Sequence, residues 1–226
     1  MDVSKFSSTI KKYIKESEPA PVHLWNPPYC GELDIRITRD GNWHYNKSPI
    51  GRKRLVKLFS NILKKEGDFY YLVTPVEKIK IQVDDAPFLI VDIESKTVNG
   101  TQEITFLTNT ETEFSLGSKN PLRILFKNHT QEPSPYVVVR KNLEGLIDRK
   151  TFYRLIEKSD FHSHKGTSWM GIWSQNVFFP ILEENKLNIT NSVQVLVAPW
   201  ERGFTCGIII NSSSKMTSEQ YEMCSS

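Results

Sequence analysis

The chain has 226 residues, 38% of them hydrophobic and 24% charged, enough for two small packed domains and too apolar for a disordered chain or a coiled coil. Its 29 basic and 26 acidic residues leave a net charge of +3, a mild excess that demands no polyanionic partner. No apolar run approaches the roughly 18 residues that span a bilayer, and lysines interrupt the N-terminal stretch where an export signal would be apolar, so a soluble cytoplasmic protein is expected. Cys30, Cys206 and Cys224 are odd in number and lack CxxC spacing, which encodes neither a disulfide framework nor a zinc knuckle.

From Asp2 to Glu16, Val3, Phe6, Ile10, Tyr13 and Ile14 recur at helical spacing among lysines, predicting an amphipathic helix. Pro19, Pro21, Pro27 and Pro28 then impose an extended loop up to Gly31. Leu33, Ile35 and Ile37 alternate with polar residues, and Asp40-Gly41 precedes Trp43, His44 and Tyr45, the pattern of a hairpin. A stripe of Leu55, Leu58, Phe59, Ile62 and Leu63 predicts the clearest helix. Ser48 or Gly51 is its expected cap, Pro49 sits in its first turn, Lys57, Lys64 and Lys65 lie off the stripe, and Gly67 ends it. FYYLVTP and KIKIQV read as strands on either side of a turn, and the break from Asp84 to Pro87 divides the halves.

Beyond that break, FLIVDIE, EITFLT, EFSLGS and LRILFK predict an antiparallel meander with no helix before Arg140. PYVVVRK is a further strand, and Phe152, Tyr153, Leu155 and Ile156 mark a short helix that Asp148 can cap. Residues 159–171 read as a polar loop, GIWSQNVFFPI as a strand, and NSVQVLVAPW with GFTCGIII as a final hairpin before a disordered serine-rich end. The expected fold class is α+β, with an N-terminal part over 1–83, a C-terminal part rich in antiparallel sheet over 84–211 and a tail over 212–226.

Laid over each other at an offset of 97, residues 49–59 and 146–156 match Ile50 with Ile147, Arg52 with Arg149, Lys53 with Lys150 and Leu58 with Leu155. Each copy follows one strand pattern and precedes another. A duplicated strand-helix-strand unit over 43–75 and 136–179 is therefore expected, with Arg52 and Arg149 at matching helix starts. The groove between two similar units is a common place for a pocket.

The runs HLWNPPYCGELDIRI, RDGNWHYNKSPIGRKRLVKLFSNIL, FYYLVTPVEKIKIQVDDAPF and GIWSQNVFFPI strongly resemble, in this order, a bacterial family known as domain of unknown function 1285. The resemblance covers about Val22 to Ile181 and implies a two-part fold with a duplicated core, its second part superficially like a pleckstrin-homology domain. It further implies a site for a nucleotide-derived ligand at the interface of the parts and a role in signal transduction.

Catalytic patterns are missing: the sequence has no GxSxG, no GxGxxG, no Gly-rich run ending in Lys-Ser/Thr and no HExxH. No catalytic residue, metal or cofactor is assigned, and His162 and His164 read as solvated rather than as metal ligands. Arg52 and Arg149 stand apart from the neighbouring lysines, which read as a solvated helix face. At a helix start, free N–H groups and the dipole favour an anion, and a guanidinium fork suits phosphate or carboxylate. The competing reading pairs such an arginine with Glu77 or Asp85. Trp43, Tyr70 and Tyr71 are assigned to the core as strand aromatics, leaving Tyr45 and Trp173 as ligand contacts. Aromatics among basic residues also fit single-stranded nucleic acid, a weaker reading at so low a charge and without an RNP-type signature.

The candidate ligand-binding residues are thus Arg52, Arg149, Tyr45, Glu77, Asp85 and Trp173. The favoured function is non-enzymatic binding of a small anionic, nucleotide-derived ligand at the interface of the two parts, with a signalling partner and no membrane. The alternatives are a hydrolase or transferase using Glu77 or Asp85 as general base, and a protein-protein adaptor working through exposed sheet edges.

Overall fold

A computed structural model describes residues 19–126 and 132–185. The predicted helix over 2–16, the final hairpin and the tail lie outside the described residues. By Cα proximity the chain divides into two compact units, whose described residues are 19–126, 132–159 and 172–179 in the first and 160–171 and 180–185 in the second.

In the first unit, β1 (Tyr29–Ile37), β2 (Trp43–Tyr45), β3 (Ser48–Pro49), α1 (Lys53–Asn61), β4 (Leu63–Glu66), β5 (Phe69–Val73) and β6 (Lys78–Val83) follow one another. The strands form a six-stranded sheet ordered β3-β2-β1-β6-β5-β4. Only β1 and β6 pair in parallel. The expected alternation holds: Leu33, Ile35, Ile37, Leu72, Ile79 and Ile81 are buried on one face, and the residues between them point to the other. α1 packs on the apolar face with Leu58 and Phe59 buried, the Phe59 ring 6.3 Å from that of Trp43.

α1 is shorter than its stripe predicts. Leu63, Lys64, Lys65 and Glu66 pair with Leu72, Tyr71, Tyr70 and Phe69 as strand β4. A four-residue run with one apolar end fits either period, and the ladder to β5 decides. Gly67, at φ +58°, belongs to the two-residue hairpin turn and not to a helix end. Pro49 lies in edge strand β3, and Arg52 is the N-cap residue without a side-chain capping bond, so neither Ser48 nor Gly51 caps this helix.

The second sheet contains β7 (Phe88–Val98), β8 (Thr101–Thr108), β9 (Glu113–Ser115), β10 (Leu122–Phe126), β11 (Pro133–Arg140) and β12 (Leu143–Ile147). Its order is β10-β11-β12-β7-β8-β9, parallel only between β12 and β7. β9 and β10 are therefore opposite edges and not neighbours in a meander. β12 has no strand signature in the sequence because Leu143, Gly145, Leu146 and Ile147 are all buried, and a strand covered on both faces shows no alternation. Written from its other edge, the order is that of the first sheet with six added to every strand number.

α2 (Arg149–Ile156) follows β12. Asp148 caps it as expected, accepting from the Thr151 N–H at 2.7 Å. Arg154 ties it to β7, pairing with Asp92 and donating to the Ile93 carbonyl at 2.6 Å. A strand-helix-strand order thus recurs, with Arg52 at an N-cap and Arg149 at a first helical residue. The helices nevertheless occupy different places: α1 joins the third and fourth strands of its sheet, whereas α2 follows the sixth. The offset of 97 does not align the two sheets.

β13 (Asp160–His164), β14 (Thr167–Ser174) and β15 (Val177–Glu183) form a third sheet in that order. Residues 160–171, expected as a loop, are a hairpin pairing Asp160–His164 with Thr167–Gly171 around Lys165 and Gly166, both at positive φ. Its strands are too polar to alternate visibly. GIWSQNVFFPI is two strands broken at Gln175 and Asn176, again both at positive φ. In the first unit, Ser174 is buried and its Oγ donates to the Leu116 carbonyl at 2.6 Å while accepting from the Ile104 N–H at 3.0 Å.

The β8-β9 turn meets the β1-β2 turn through Asn109, which donates to the Gly41 carbonyl at 2.8 Å and accepts from the Leu89 N–H at 3.2 Å. Gly41 has φ +78°, and a Cβ there would stand 2.6 Å from Asn109 Nδ2 and 2.9 Å from Leu89 Cβ. Gly41→Ala should therefore cost about 2 kcal/mol or more from strain and contact together. Asn109→Ala, which removes the bonds without strain, should cost about 1 kcal/mol. Urea denaturation of both variants checks the ranking; equal losses would show that the backbone at residue 41 is not the constraint.

Candidate functional site

β2, β3 and the start of α1 bring two of the sequence-derived candidates together. Tyr45, Ser48, Pro49, Ile50, Gly51, Arg52 and Leu55 line an open hollow of about 260 Å³ with largely apolar walls. Arg52 is exposed and has no ion pair among the described residues. The Leu55 and Val56 N–H groups bond back to the Arg52 carbonyl at 2.9 and 3.2 Å, while those of Lys53 and Arg54 have no acceptor within the helix. No acidic residue lies in this first turn, and Lys47, Lys53 and Arg54 are exposed around it. The local field is positive, augmented by the helix dipole.

The other four candidates do not line this hollow. Asp85 is held by Arg39 and by the Tyr136 hydroxyl, which donates at 2.8 Å. The bridge from Arg52 to Asp85 or Glu77 does not form, because β1 ends beside β6 and delivers Arg36 to Asp84 at 2.8 Å and Arg39 to Asp85. Glu77 closes the β5-β6 turn, where its own N–H bonds Thr74 Oγ1 at 3.1 Å, and burial pushes its carboxyl above the ordinary value. Arg149 is exposed at the first residue of α2. Trp173 is half-exposed with its ring 5.3 Å from that of Phe178.

Around Asp85 the charges close on one another. Arg123 lies over the Tyr136 ring at 4.5 Å and binds both oxygens of Glu144 at 2.6 and 2.7 Å, holding that carboxyl below its usual range. Burial raises the Tyr136 hydroxyl, with the Asp85 hydrogen bond adding to it. Such mutually satisfied pairs fix the joint between the sheets and leave little for a ligand.

Arg140 was not singled out from the sequence. It donates to the Ser60 carbonyl in the last turn of α1 and lies 5.1 Å from the Phe88 ring centre. Burial lowers its pKa to about 10, and its Nη1 is buried without a partner. It is the last residue of β11, where the sequence reads like any surface arginine at a strand end, and only the tertiary fold buries it. Among the described residues no three His, Cys, Asp or Glu side chains gather in a way that could hold a metal.

Residues 20–86 match the N-terminal domain and residues 87–181 the C-terminal domain of the family of unknown function DUF1285. The chain belongs to this family. It is similar to a DUF1285 family protein from Silicibacter pomeroyi DSS-3, at 48% identity over 78% of this chain and 94% of that one, with a TM-score of 0.71. A DUF1285 family protein from Shewanella baltica OS155 is 28% identical over 55% of this chain and 91% of that one, with a TM-score of 0.45. No curated protein matches. The two DUF1285 parts are mixed sheets with few helices. Their boundary is a packed seam, where Ala86 is buried with Tyr136, Leu146 and the partly buried Leu89.

Glu77 gives a pH test. A carboxyl whose folded pKa is raised contributes most below its unfolded pKa and loses that contribution as pH rises. Glu77→Gln should therefore raise the melting temperature relative to wild type at pH 7, with the gap closing toward pH 4. A gap that widens on acidification would mean a stabilising partner for the carboxylate.

Proposed function

We propose that this DUF1285 protein binds a small anionic ligand, nucleotide-derived as the family resemblance suggests, in the hollow at the start of α1. Binding, not turnover, is its function, and its output is a signalling interaction. The observation that carries this reading is the exposed Arg52 guanidinium, free of any ion pair among the described residues, beside an uncapped helix start and the Tyr45 side chain. The hollow offers a cation, an aromatic ring and apolar walls, but no carboxylate or imidazole to act as general base.

α1 also relates the hollow to both DUF1285 parts. Its last turn bonds Arg140, and Lys57 pairs with Glu111 at 2.9 Å, both from the C-terminal part. An anion at its start acts on an element that the two parts hold in common. The finer reading of the fold belongs to the same proposal. The shared strand order supports a duplicated core, and a six-stranded sheet whose last strand leads into α2 supports a likeness of the second part to pleckstrin-homology domains.

A thermal-shift screen against mono- and dinucleotides should find a stabilising ligand. Calorimetry with that ligand should then show Arg52→Ala weakening binding by roughly 1.5 to 3 kcal/mol, the range for hydrogen bonds to charged groups. Arg52→Lys should recover only part of it, having charge without the planar fork, and Arg149→Ala should bind as wild type. No stabilising nucleotide, or full affinity in Arg52→Ala, would overturn the proposal.

A further inference from the structure

The strand aromatics of the first sheet are divided between its faces, and those on the face away from α1 form a row. Tyr71 pairs with Lys64 on one side and Lys80 on the other, Phe69 pairs with Glu66, and Tyr29 lies beside Lys78. This register sets the three rings among lysines and opposite in direction to buried Leu72, Ile79 and Ile81. Phe69 is 53% and Tyr29 54% exposed. The Tyr29 and Tyr71 rings meet edge-on at 6.4 Å, and Phe69 precedes Tyr71 by two residues, about 7 Å along the strand. Lys78 Nζ stands 5.1 Å from the Tyr71 ring centre and Lys80 Nζ 4.7 Å from that of Phe69.

The charge of the row is incompletely balanced. Lys64 and Lys78 share Glu66, each at 2.9 Å, while Lys80 pairs with Glu32 at 2.6 Å. Three ammonium groups thus face two carboxylates. Asp34 and the Arg36-Asp84 pair lie farther along β1 on the same face, and Asp68 occupies the β4-β5 turn beside Phe69, so the positive excess is local to Lys64, Lys78 and Lys80. Open rings, each with an ammonium alongside, suit a partner that alternates planar bases with phosphates.

We propose that this face binds single-stranded nucleic acid, with bases stacked on Phe69 and Tyr29 and phosphates paired with Lys64, Lys78 and Lys80. Low net charge weakens this reading in the sequence, as does the assignment of strand aromatics to the core. Tyr71, assigned to the core, instead stands half-buried on this outer face beside exposed Phe69 and Tyr29, which removes the second objection, and the first limits affinity without preventing it. The surface is separate from the hollow at α1, so either reading can fail alone.

Fluorescence anisotropy with labelled oligothymidylate and oligouridylate of about a dozen nucleotides, and with a duplex of equal length, tests the proposal. Either single strand should bind, more weakly as salt rises, and the duplex should not, because its bases are hidden. Phe69→Ala and Tyr29→Ala should each weaken binding at least about fivefold, and Phe69→Tyr should restore it. Lys80→Ala should flatten the salt dependence, Lys119→Ala, at an exposed position in the β9-β10 connection of the other sheet, should change nothing, and melting temperatures of all variants confirm that they fold. The proposal is overturned by absence of single-strand binding at low salt, equal binding of the duplex, or wild-type affinity in both ring variants. Displacement of the oligonucleotide by polyglutamate as readily as by unlabelled strand also overturns it, in favour of an acidic protein partner.

Discussion

Each six-stranded sheet places one parallel pair at its centre, β1 with β6 and β7 with β12, between antiparallel neighbours. A parallel neighbour cannot be reached by a hairpin, so each chain leaves by one edge and returns from the other, a flat distance of about 24 Å. In the first sheet, the nine residues of α1 supply about 14 Å of that span, and the extended residues before it most of the remainder. A helix making this crossing has to lie over the sheet, which explains its single apolar side. The same route delivers its start to the β3 edge, so the hollow beside Tyr45 and Pro49 follows from how the parallel pair is connected.

The second sheet makes the same crossing with only Leu116 to Pro121. Six extended residues reach about 20 Å, and the bridge between Gly117 and Asn120 folds their middle back on itself. The sheet must curl until its edges come within reach. Buried Ser174 satisfies backbone groups of Leu116 and Ile104 at that place, where an unmatched carbonyl or N–H would otherwise be left without water. Two sheets of one strand order therefore differ in form because one crossing contains a helix and the other does not.

What was legible in the sequence follows from range. β1, β2, β5, β6 and β8 alternate or carry turn glycines, and Asp148 caps α2 through a contact three residues away, so local pattern suffices. LKKE after α1, LEGLI and residues 160–171 carry no such local pattern, because partner strands decide their state. The site divides in the same way. Arg52 could be found because a helix start is a local feature, and Tyr45 because it closes the preceding hairpin. The partners of Asp85 could not, since they depend on β1 lying parallel to β6 across some 45 residues of chain, with Arg39 and Asp85 46 apart. Burial of Arg140 is likewise a product of packing between elements 80 residues apart.

FYYLV shows the limit most directly. Alternation establishes that Tyr70 and Leu72 share one face and Phe69 and Tyr71 the other, but not which face a helix will cover. Once α1 takes the Leu72 side, Phe69 and Tyr71 are left outside, where open rings on a sheet invite aggregation. Lysine stems and ammonium groups over those rings reduce that hazard while keeping the face wet. The same shielding shapes any use of the surface: a base that stacks on Phe69 must displace part of the Lys80 contact, and a phosphate must compete with Glu32 for the freed ammonium. Recognition of a single strand there would consequently be an exchange of partners, weaker than binding to a bare cationic groove.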